Sequence, residues 1–451
     1  MFEKVLKKHI VRFMEDNNLF NPNQHGFRRG RSCLSELLNH FDDILNELVG
    51  RNNVDVVYLD FSKAFDKVDF KVLLRKLYHI GIRGKLLSWI EAFLTGRTLY
   101  VVIDGVKSLP CPVLSGVPQG SVLGPLLFLI LIMDIDKDVK KASVKSFADD
   151  TRVLKSISNS DDINVLQSEL HIVYSWAGMN NLQFNNTKFE LIQYGKDQNL
   201  KSEANYLTVS NQCITKKDII TDLGVLMSDD ATFKPHVTDV VNSAKKLVSW
   251  IYRSFKTRSA TAMLTLWKSM ILPKLEYCSQ LWSPFSKGEI MKLELIQRYF
   301  VKKIENNWHL DYWETLAYLK LFSLERRRER YRIMYTWKVL ENIVPNISAN
   351  ENRKITPRYT DRFGRKCVVP PHQAIHSAVY ENSMAVRGPK LFNVMPQAIR
   401  DLTGCTIETF KAKLDKFLWT VADNPLIPGY RGGNNQLYGS NSLVDILSGS
   451  Y

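Results

Sequence analysis

The sequence lacks the cysteine pairing that a zinc knuckle or a disulfide framework needs. Its cysteines, Cys33, Cys111, Cys213, Cys278, Cys367 and Cys405, are widely separated and form no C-x-x-C pair. A reduced, intracellular chain is therefore expected. Long hydrophobic runs are missing too: the longest, Leu126 to Met133, is eight residues, against the ~20 needed to cross a bilayer. No transmembrane helix is expected. The start, Met1-Phe2-Glu3-Lys4, is charged from its third residue and has no signal-peptide apolar region. There is no internal repeat and no P-loop. His372 and His376 stand four apart, but without cysteine or acidic companions they do not make a metal site.

What is present is a globular composition, 45% hydrophobic and 24% charged, close to that of folded domains. The 451 residues suffice for about two to four structural units of ~100–200 residues each. The net charge of +15 and pI of about 9.3 suit a polyanionic partner, although charge alone also fits a membrane surface. Its distribution is uneven. Residues 1–200 hold 25 Lys+Arg against 23 Asp+Glu, whereas residues 251–400 hold 26 against 12. The basic surplus therefore belongs to the second half, where a basic helical bundle would suit a clamp on duplex backbone.

Apolar spacing predicts a helix over residues 1–15, opening abruptly as if the chain were cut at its beginning. The basic, Gly-punctuated loop Gln24-His25-Gly26-Phe27-Arg28-Arg29-Gly30-Arg31-Ser32 then leads into a helix from Cys33 to Val49. Arg28, Arg29 and Arg31 could hold phosphates by charge-assisted hydrogen bonds, or simply form a solvated basic turn. Val54 to Asp60 reads as a buried strand carrying Asp60 to its end, with helices following near Phe70–His79 and Lys85–Thr95. Asp104-Gly105 is a two-residue hairpin signal between Leu99–Ile103 and Val106–Val113. Leu114 to Ser121 is a tight Gly/Pro loop before an apolar helix; its Gln119 offers both a donor and an acceptor.

Ser143–Phe147 and Arg152–Leu154 predict short strands around Ala148-Asp149-Asp150. Two adjacent carboxylates repel, and a bound cation relieves that repulsion. A helix behind a Ser160 cap follows, then strands 182–184 and 189–192 around a turn carrying Lys188, and another strand and turn at Ile219–Val225. From His236 the pattern is helical, with helices also near 260–272 and 288–304. Trp267, Trp282, Trp308, Trp313 and Trp337 read as core. The run Arg326-Arg327-Arg328-Glu329-Arg330 reads as a solvated helix face or a phosphate contact. Asn350 to Pro371 reads as a linker or long basic loop, and a last helix, Ile407–Leu418 behind Thr406, precedes a Gly/Asn/Ser-rich tail that composition marks as disordered.

Taken in order, Asp60 with Ala64-Phe65, Pro118-Gln119-Gly120, Phe147-Ala148-Asp149-Asp150, Lys188 and Leu223-Gly224-Val225 resemble motifs A to E of reverse transcriptases. Gln24 to Ser32 resembles the fingers motif of their non-LTR branch (LINE, jockey- or CR1-like). The resemblance spans roughly residues 1–310 and extends weakly to 425. It implies an α+β right-hand polymerase fold: partial fingers at 1–53, palm at 54–235 with a helical insertion at about 68–98, thumb at 236–310, a basic helical region at 311–425 and a tail at 426–451.

The implied chemistry is nucleotidyl transfer with two Mg²⁺ ions, Mn²⁺ being a possible substitute. Asp60 and Asp149 would be metal ligands, Asp150 the second acid of the pair, and the main-chain carbonyl of Phe61 an extra ligand. Lys188 would protonate pyrophosphate. Phe65, beside Ala64, would exclude a 2′-hydroxyl; Gln119, flanked by Pro118 and Gly120, would position template or nucleotide. Implied partners are an RNA template, a DNA primer or RNA/DNA hybrid, and dNTPs, with no membrane and no required protein partner. The implied setting is a cytoplasmic ribonucleoprotein, the nucleus, or both. No upstream endonuclease is present, so target nicking is not expected of this chain. A second reading stays open: a catalytically silent, nucleic-acid-binding remnant of such an element, consistent with an N-terminal truncation of the fingers that arginines 28, 29 and 31 would have to offset.

Overall fold

A computed structural model describes residues 1–305, 307, 309–348, 354–355, 357–360, 366–368, 377–427 and 441–448. Trp308, His372, His376, most of the Asn350–Pro371 stretch and most of the tail lie outside these residues. The chain forms two compact units, one of residues 1–36 and 50–218, the other of residues 37–49 and 219–451.

The first unit is built on a five-stranded sheet. In chain order it contains helix α1 (Phe2–Asp16), the start of helix α2 (Cys33–Val49), strand β1 (Asn53–Leu59), and helices α3 (Phe70–His79) and α4 (Gly84–Leu94). Short strands β2 (Thr98–Leu99), β3 (Val102–Ile103), β4 (Val106–Lys107) and β5 (Cys111–Pro112) come next, then helix α5 (Gly124–Ile132). Strands β6 (Ser143–Phe147) and β7 (Asp150–Ile157), helix α6 (Ser160–Met179), strand β8 (Glu190–Tyr194), helix α7 (Gln198–Glu203) and strand β9 (Thr215–Lys216) complete it.

The sheet order is β6-β7-β1-β8-β9, antiparallel except for the parallel β8–β9 pair. β1 is central and almost wholly buried, as its unbroken Val-rich run requires. Burying Asp55 within it demands partners: the Tyr206 hydroxyl donates to it at 2.7 Å and Gln193 Nε2 at 3.2 Å. α5 is apolar on all sides and buried at every position but Pro125. Just before it, Glu3 Oε2 accepts from Val122 N at 2.9 Å and Leu123 N at 3.1 Å, and the helix's first N–H, that of Gly124, donates to Ser121 Oγ at 2.9 Å.

Three local expectations are corrected. The α6 cap is Asn159, whose side chain accepts from Asp162 N; Ser160 Oγ instead donates to Glu203. Residues 182–184 form no strand, only an isolated bridge between Phe61 and Phe184. The 99–113 hairpin pairs only in short pieces, 98–99 with 111–112 and 102–103 with 106–107, and its apolar side chains are exposed.

The second unit, described by itself, contains residues 37–49 of α2 and a hairpin of strands β10 (Ile219–Asp222) and β11 (Val225–Ser228) that turns at Leu223-Gly224. Helices α8 (Lys234–Ser254), α9 (Ala260–Leu266), α10 (Leu272–Glu276), α11 (Ser279–Trp282), α12 (Lys287–Val301), α13 (Tyr312–Tyr318) and α14 (Leu324–Leu340) follow. A strand pair, β12 (Pro357–Thr360) and β13 (Lys366–Val368), leads to helices α15 (Ala378–Glu381), α16 (Met384–Asn393), α17 (Gln397–Arg400), α18 (Ile407–Leu418) and α19 (Leu443–Ser448). Trp267, Trp282 and Trp337 are core residues, at most 1% exposed.

The arginine run is neither a solvated face nor a phosphate contact. Arg326, Arg328 and Arg330 are at most 5% exposed. Arg330 pairs with Asp415, Arg327 pairs with Glu276, and Arg326 Nη2 donates to the Ala422 carbonyl at 2.8 Å. α14 is central to this unit, packed on α11, α12, α16 and α18, so its cations are internal ties between helices.

Candidate active site

Strand register assembles the site. β1 runs antiparallel to β7 with Leu59 opposite Thr151. One residue further along β1 is Asp60, and one residue back along β7 is Asp150, so the two meet at one edge of strands ~4.8 Å apart. β6 and β7 join through a two-residue turn, Ala148-Asp149, with Phe147 opposite Asp150. Ala148 has φ +56°, a left-handed conformation that costs an L-residue roughly 1–2 kcal/mol.

Asp149 is half-buried, and its carboxyl is held above the ordinary range. Burial is the main cause and the neighbouring Asp60 charge adds to it, while its own N–H and Lys188 pull the other way. Asp60 and Asp149 are thus brought within electrostatic reach of each other. Lys188 Nζ lies 3.1 Å from Asp60 Oδ2. It is carried by a short turn, Asn186–Lys188, that is tied to the end of β1. Asn185 N donates to the Asp60 carbonyl and Ser62 N to the Gln183 carbonyl, each at 2.8 Å. Those two bonds leave the Phe61 carbonyl out of the bridge, and the Phe61 ring stacks on Phe184 at 4.4 Å.

Asp150 is exposed and opens β7, directly after Asp149 of the turn. Among the described residues no three His, Cys, Asp or Glu side chains are gathered as a metal cage. Mg²⁺ does not require one, because it is usually held by one or two carboxylates together with substrate phosphates and water. The repelling pair Asp60/Asp149 fits that demand.

On the turn after Asp60, the Phe65 ring stacks on Phe128 at 4.3 Å and meets Phe27 edge-on at 6.0 Å; the adjacent Ala64 is buried. The Ser115–Gly120 loop docks on this turn. Val117 N donates to the Phe65 carbonyl and Gly116 N to the Val68 carbonyl, each at 2.9 Å. Ser115 Oγ donates to the Asp66 carbonyl at 2.8 Å, and Gln119 Nε2 to Asp66 Oδ1 at 2.7 Å. The loop carrying Gln119 and Gly120 is thus fixed to the turn carrying Phe65 by two backbone and two side-chain hydrogen bonds. Asp66, the partner of Gln119, was not singled out by sequence reasoning, since a lone Asp after a Phe carries no pattern.

The three loop arginines divide. Arg28 Nη1 donates to the Asn21 carbonyl at 2.7 Å and lies over the Phe20 ring; burial pushes its guanidinium down to about 10. Arg31 donates to the Pro22 carbonyl, and burial lowers its pKa too. Both brace their own loop, while Arg29 is exposed. Sequence reasoning also missed His25, Glu36 and Arg152. Glu36 is fully buried and accepts from Arg152 Nη1 at 2.8 Å, with His25 Nε2 at 3.5 Å. Burial is the main reason His25 is held neutral, far below its usual range, and nearby cations add to it. Glu36 and Arg152 are 116 residues apart, so no spacing rule joins them.

Comparison with known proteins agrees with this constellation. Residues 1–224 match the family described as "Reverse transcriptase (RNA-dependent DNA polymerase)". The chain is 25% identical over 379 residues to the probable RNA-directed DNA polymerase from transposon X-element of Drosophila melanogaster, covering 80% of this chain and 40% of that protein. It is 26% identical over 340 residues to the RNA-directed DNA polymerase from mobile element jockey of the same organism, covering 73% and 36%. The chain thus spans about two fifths of the length of these relatives. A telomerase structure from Candida tropicalis with a fragment of telomeric RNA is 13% identical, covering 74% of this chain and 48% of that one, with a TM-score of 0.41. With the motifs in order, the carboxylates at one sheet edge and the match over its first half, the chain belongs to the reverse transcriptase (RNA-dependent DNA polymerase) family, in its non-LTR, LINE-type branch.

Proposed function

We propose that this chain acts as an RNA-directed DNA polymerase, adding deoxynucleotides to a primer 3′-hydroxyl on an RNA template. The observation that supports it is the approach of Asp60 and Asp149 at one sheet edge. In this reading residues 1–53 are partial fingers, 54–235 the palm and 236–310 the thumb, with the basic region to 425 behind.

Two Mg²⁺ ions, or Mn²⁺ in their place, would be held by Asp60 and Asp149, with Asp150 and the Phe61 carbonyl as further oxygen donors; when bound, they neutralise the attacking oxygen and the triphosphate. The chain's own residues do the rest. Asp60 and Asp149 set the axis along which the primer end meets the nucleotide. Lys188, on its turn beside Asp60, donates a proton to the departing pyrophosphate. The Phe65 ring, backed by Phe128, fills the space of a 2′-hydroxyl and so selects dNTPs. Gln119, tied to Asp66, holds the loop of Pro118 and Gly120 against the nascent base pair, and Arg29 faces the triphosphate. Partners are an RNA template, a DNA primer or RNA/DNA hybrid, and dNTPs, within a cytoplasmic ribonucleoprotein or the nucleus.

Primer extension on poly(rA)/oligo(dT) with Mg²⁺ tests this. Incorporation abolished by Asp149→Ala is expected, and no incorporation above that variant's level would reject the polymerase. Duplex binding with a steep salt slope but without synthesis would instead favour a silent nucleic-acid-binding protein.

A further inference from the structure

The loop that precedes α2 touches the metal-binding turn, and it does so through one side chain. Gln24 is 4% exposed. Its Oε1 accepts from Ala148 N at 2.8 Å and from Gly26 N at 2.7 Å, while its Nε2 donates to the Ala148 carbonyl at 3.1 Å. One amide therefore satisfies both main-chain polar groups of the residue immediately before Asp149. That residue is the alanine at φ +56°, where a turn of this kind ordinarily takes glycine.

The surrounding backbone repeats the contact. Gln24 forms a parallel bridge with Ser146, with His25 N donating to the Ser146 carbonyl at 3.1 Å and Ser146 N to the Asn23 carbonyl at 3.0 Å. A Cβ on Gly26 would stand 2.4 Å from Ala148 N, so the close approach depends on glycine there. The loop is itself braced: Asn21 Nδ2 donates to Asp136 Oδ1 at 2.8 Å, and Arg28 and Arg31 donate to its own carbonyls.

We propose that Gln24 is a positioning residue for nucleotidyl transfer: its side-chain amide locks Ala148 in the left-handed conformation and so fixes the direction in which Asp149 presents its carboxylate. This rests on the polymerase reading above. Without Gln24, Ala148 relaxes towards the ordinary right-handed or extended regions. Asp149 then swings away from Asp60 and the pair binds divalent ions less well. The substitution removes no residue to which that reading gives a primer or template contact.

The test uses the full chain with Gln24→Ala and Gln24→Glu, read by primer extension, by the Mg²⁺ concentration giving half-maximal rate, and by hydrogen exchange of the segment around Ala148. Misplacing a reacting group by ~1 Å costs on the order of 10²-fold in rate. Gln24→Ala is therefore expected to lower kcat by about 10- to 100-fold and to raise the Mg²⁺ midpoint several-fold, with KM for primer–template within about twofold. It should also lose exchange protection at the Ala148 amide. Gln24→Glu keeps both accepted bonds but turns a buried carboxylate oxygen towards the Ala148 carbonyl in place of the donating amide, so it too should lower kcat and raise the Mg²⁺ midpoint. It carries the decision if Gln24→Ala does not fold.

An active parent with variants unchanged in kcat and Mg²⁺ midpoint overturns the proposal. If the parent itself extends no primer, the polymerase reading fails. Exchange then decides the clamp alone: protection of the Ala148 amide retained in Gln24→Ala overturns it, and protection lost there upholds it.

Discussion

Replacing Gly116 by alanine tests how the loop before α5 is seated on the turn after β1. Two costs arise. Gly116 has φ +89°, and a left-handed backbone costs an L-residue roughly 1–2 kcal/mol. The added Cβ would also lie 2.7 Å from the Asp66 carbonyl oxygen and 2.9 Å from its Cα. Those are backbone atoms that cannot rotate aside, and overpacking of this kind costs about 1–3 kcal/mol. The two together come to roughly 3 kcal/mol, which in a unit of this size lowers the melting temperature by about 6–12 °C.

Gly105→Ala separates the two costs. Gly105 has a comparable φ of +83° with nothing within reach of a Cβ, so it should lose only the conformational part. The functional consequence follows from the bonds Gly116 adjoins: lifting the loop breaks Val117 N from the Phe65 carbonyl and Gln119 from Asp66. In primer extension, kcat/KM for dTTP should then fall by on the order of 100-fold. Denaturation midpoints within 2 °C (about 1 kcal/mol or less) for Gly116→Ala and Gly105→Ala would refute the reasoning. So would an unchanged kcat/KM.

Four further outcomes are expected. Phe65→Val should raise rNTP use relative to dNTP by at least about tenfold in kcat/KM, the scale of a lost steric contact; an unchanged ratio removes the sugar-selecting role. In the metal-free protein, carboxyl NMR should find Asp149 titrating above the ordinary range, moved down by Asp60→Asn and further up by Lys188→Ala, following the charges that act on it; movement in the opposite direction for either variant would contradict the placement. Glu294 is pushed by burial up to about 7 from 4.5. Since its folded pKa lies above the unfolded one, its contribution is complete below pH 4.5 and is lost as pH rises through 7, by roughly 3 kcal/mol. Urea midpoints of Glu294→Gln should accordingly lack that slope. Arg330→Met should destabilise the second unit by about 3 kcal/mol, because it strands Asp415, yet leave the salt slope of nucleic-acid binding unchanged; a slope reduced by ~1 would return this arginine to the phosphate contacts.

Much of the fold was legible in the sequence where the controlling interaction is local. Periodicity and composition placed α2 at Cys33–Val49 and α3 at Phe70–His79, and the Thr406 cap placed α18 at Ile407–Leu418. Asp104-Gly105 did form the two-residue turn, with both residues at positive φ. What was not legible depends on distant partners. Asn159 rather than Ser160 caps α6, since Asn159 holds the extended backbone of a cap (φ −156°, ψ 173°) and Ser160 is already helical; the Ser160 hydroxyl donates to Glu203, a partner no window spans. Gln24 and Ala148, 124 residues apart, leave no trace in spacing. Neither does Gln119 with Asp66, although both ends of that contact flank residues the motifs picked out.

The arginine run carries the more general lesson about charge. Counting places 26 cations against 12 anions in residues 251–400, and a count treats each as surface. Burial separates them: Arg326, Arg328, Arg330 and Arg332 are all at most 5% exposed. An arginine can be buried because its long stem packs as hydrocarbon while its fork reaches carbonyls or carboxylates. In α14 the forks reach Asp415, the Ala422 carbonyl and the Gln280 carbonyl. Those cations are therefore removed from any counterion release that phosphate binding could produce. In the proposed reading, the pull on a nucleic-acid backbone comes instead from exposed cations such as Lys245, Lys246 and Lys292, whose number, not the net charge, sets the salt dependence.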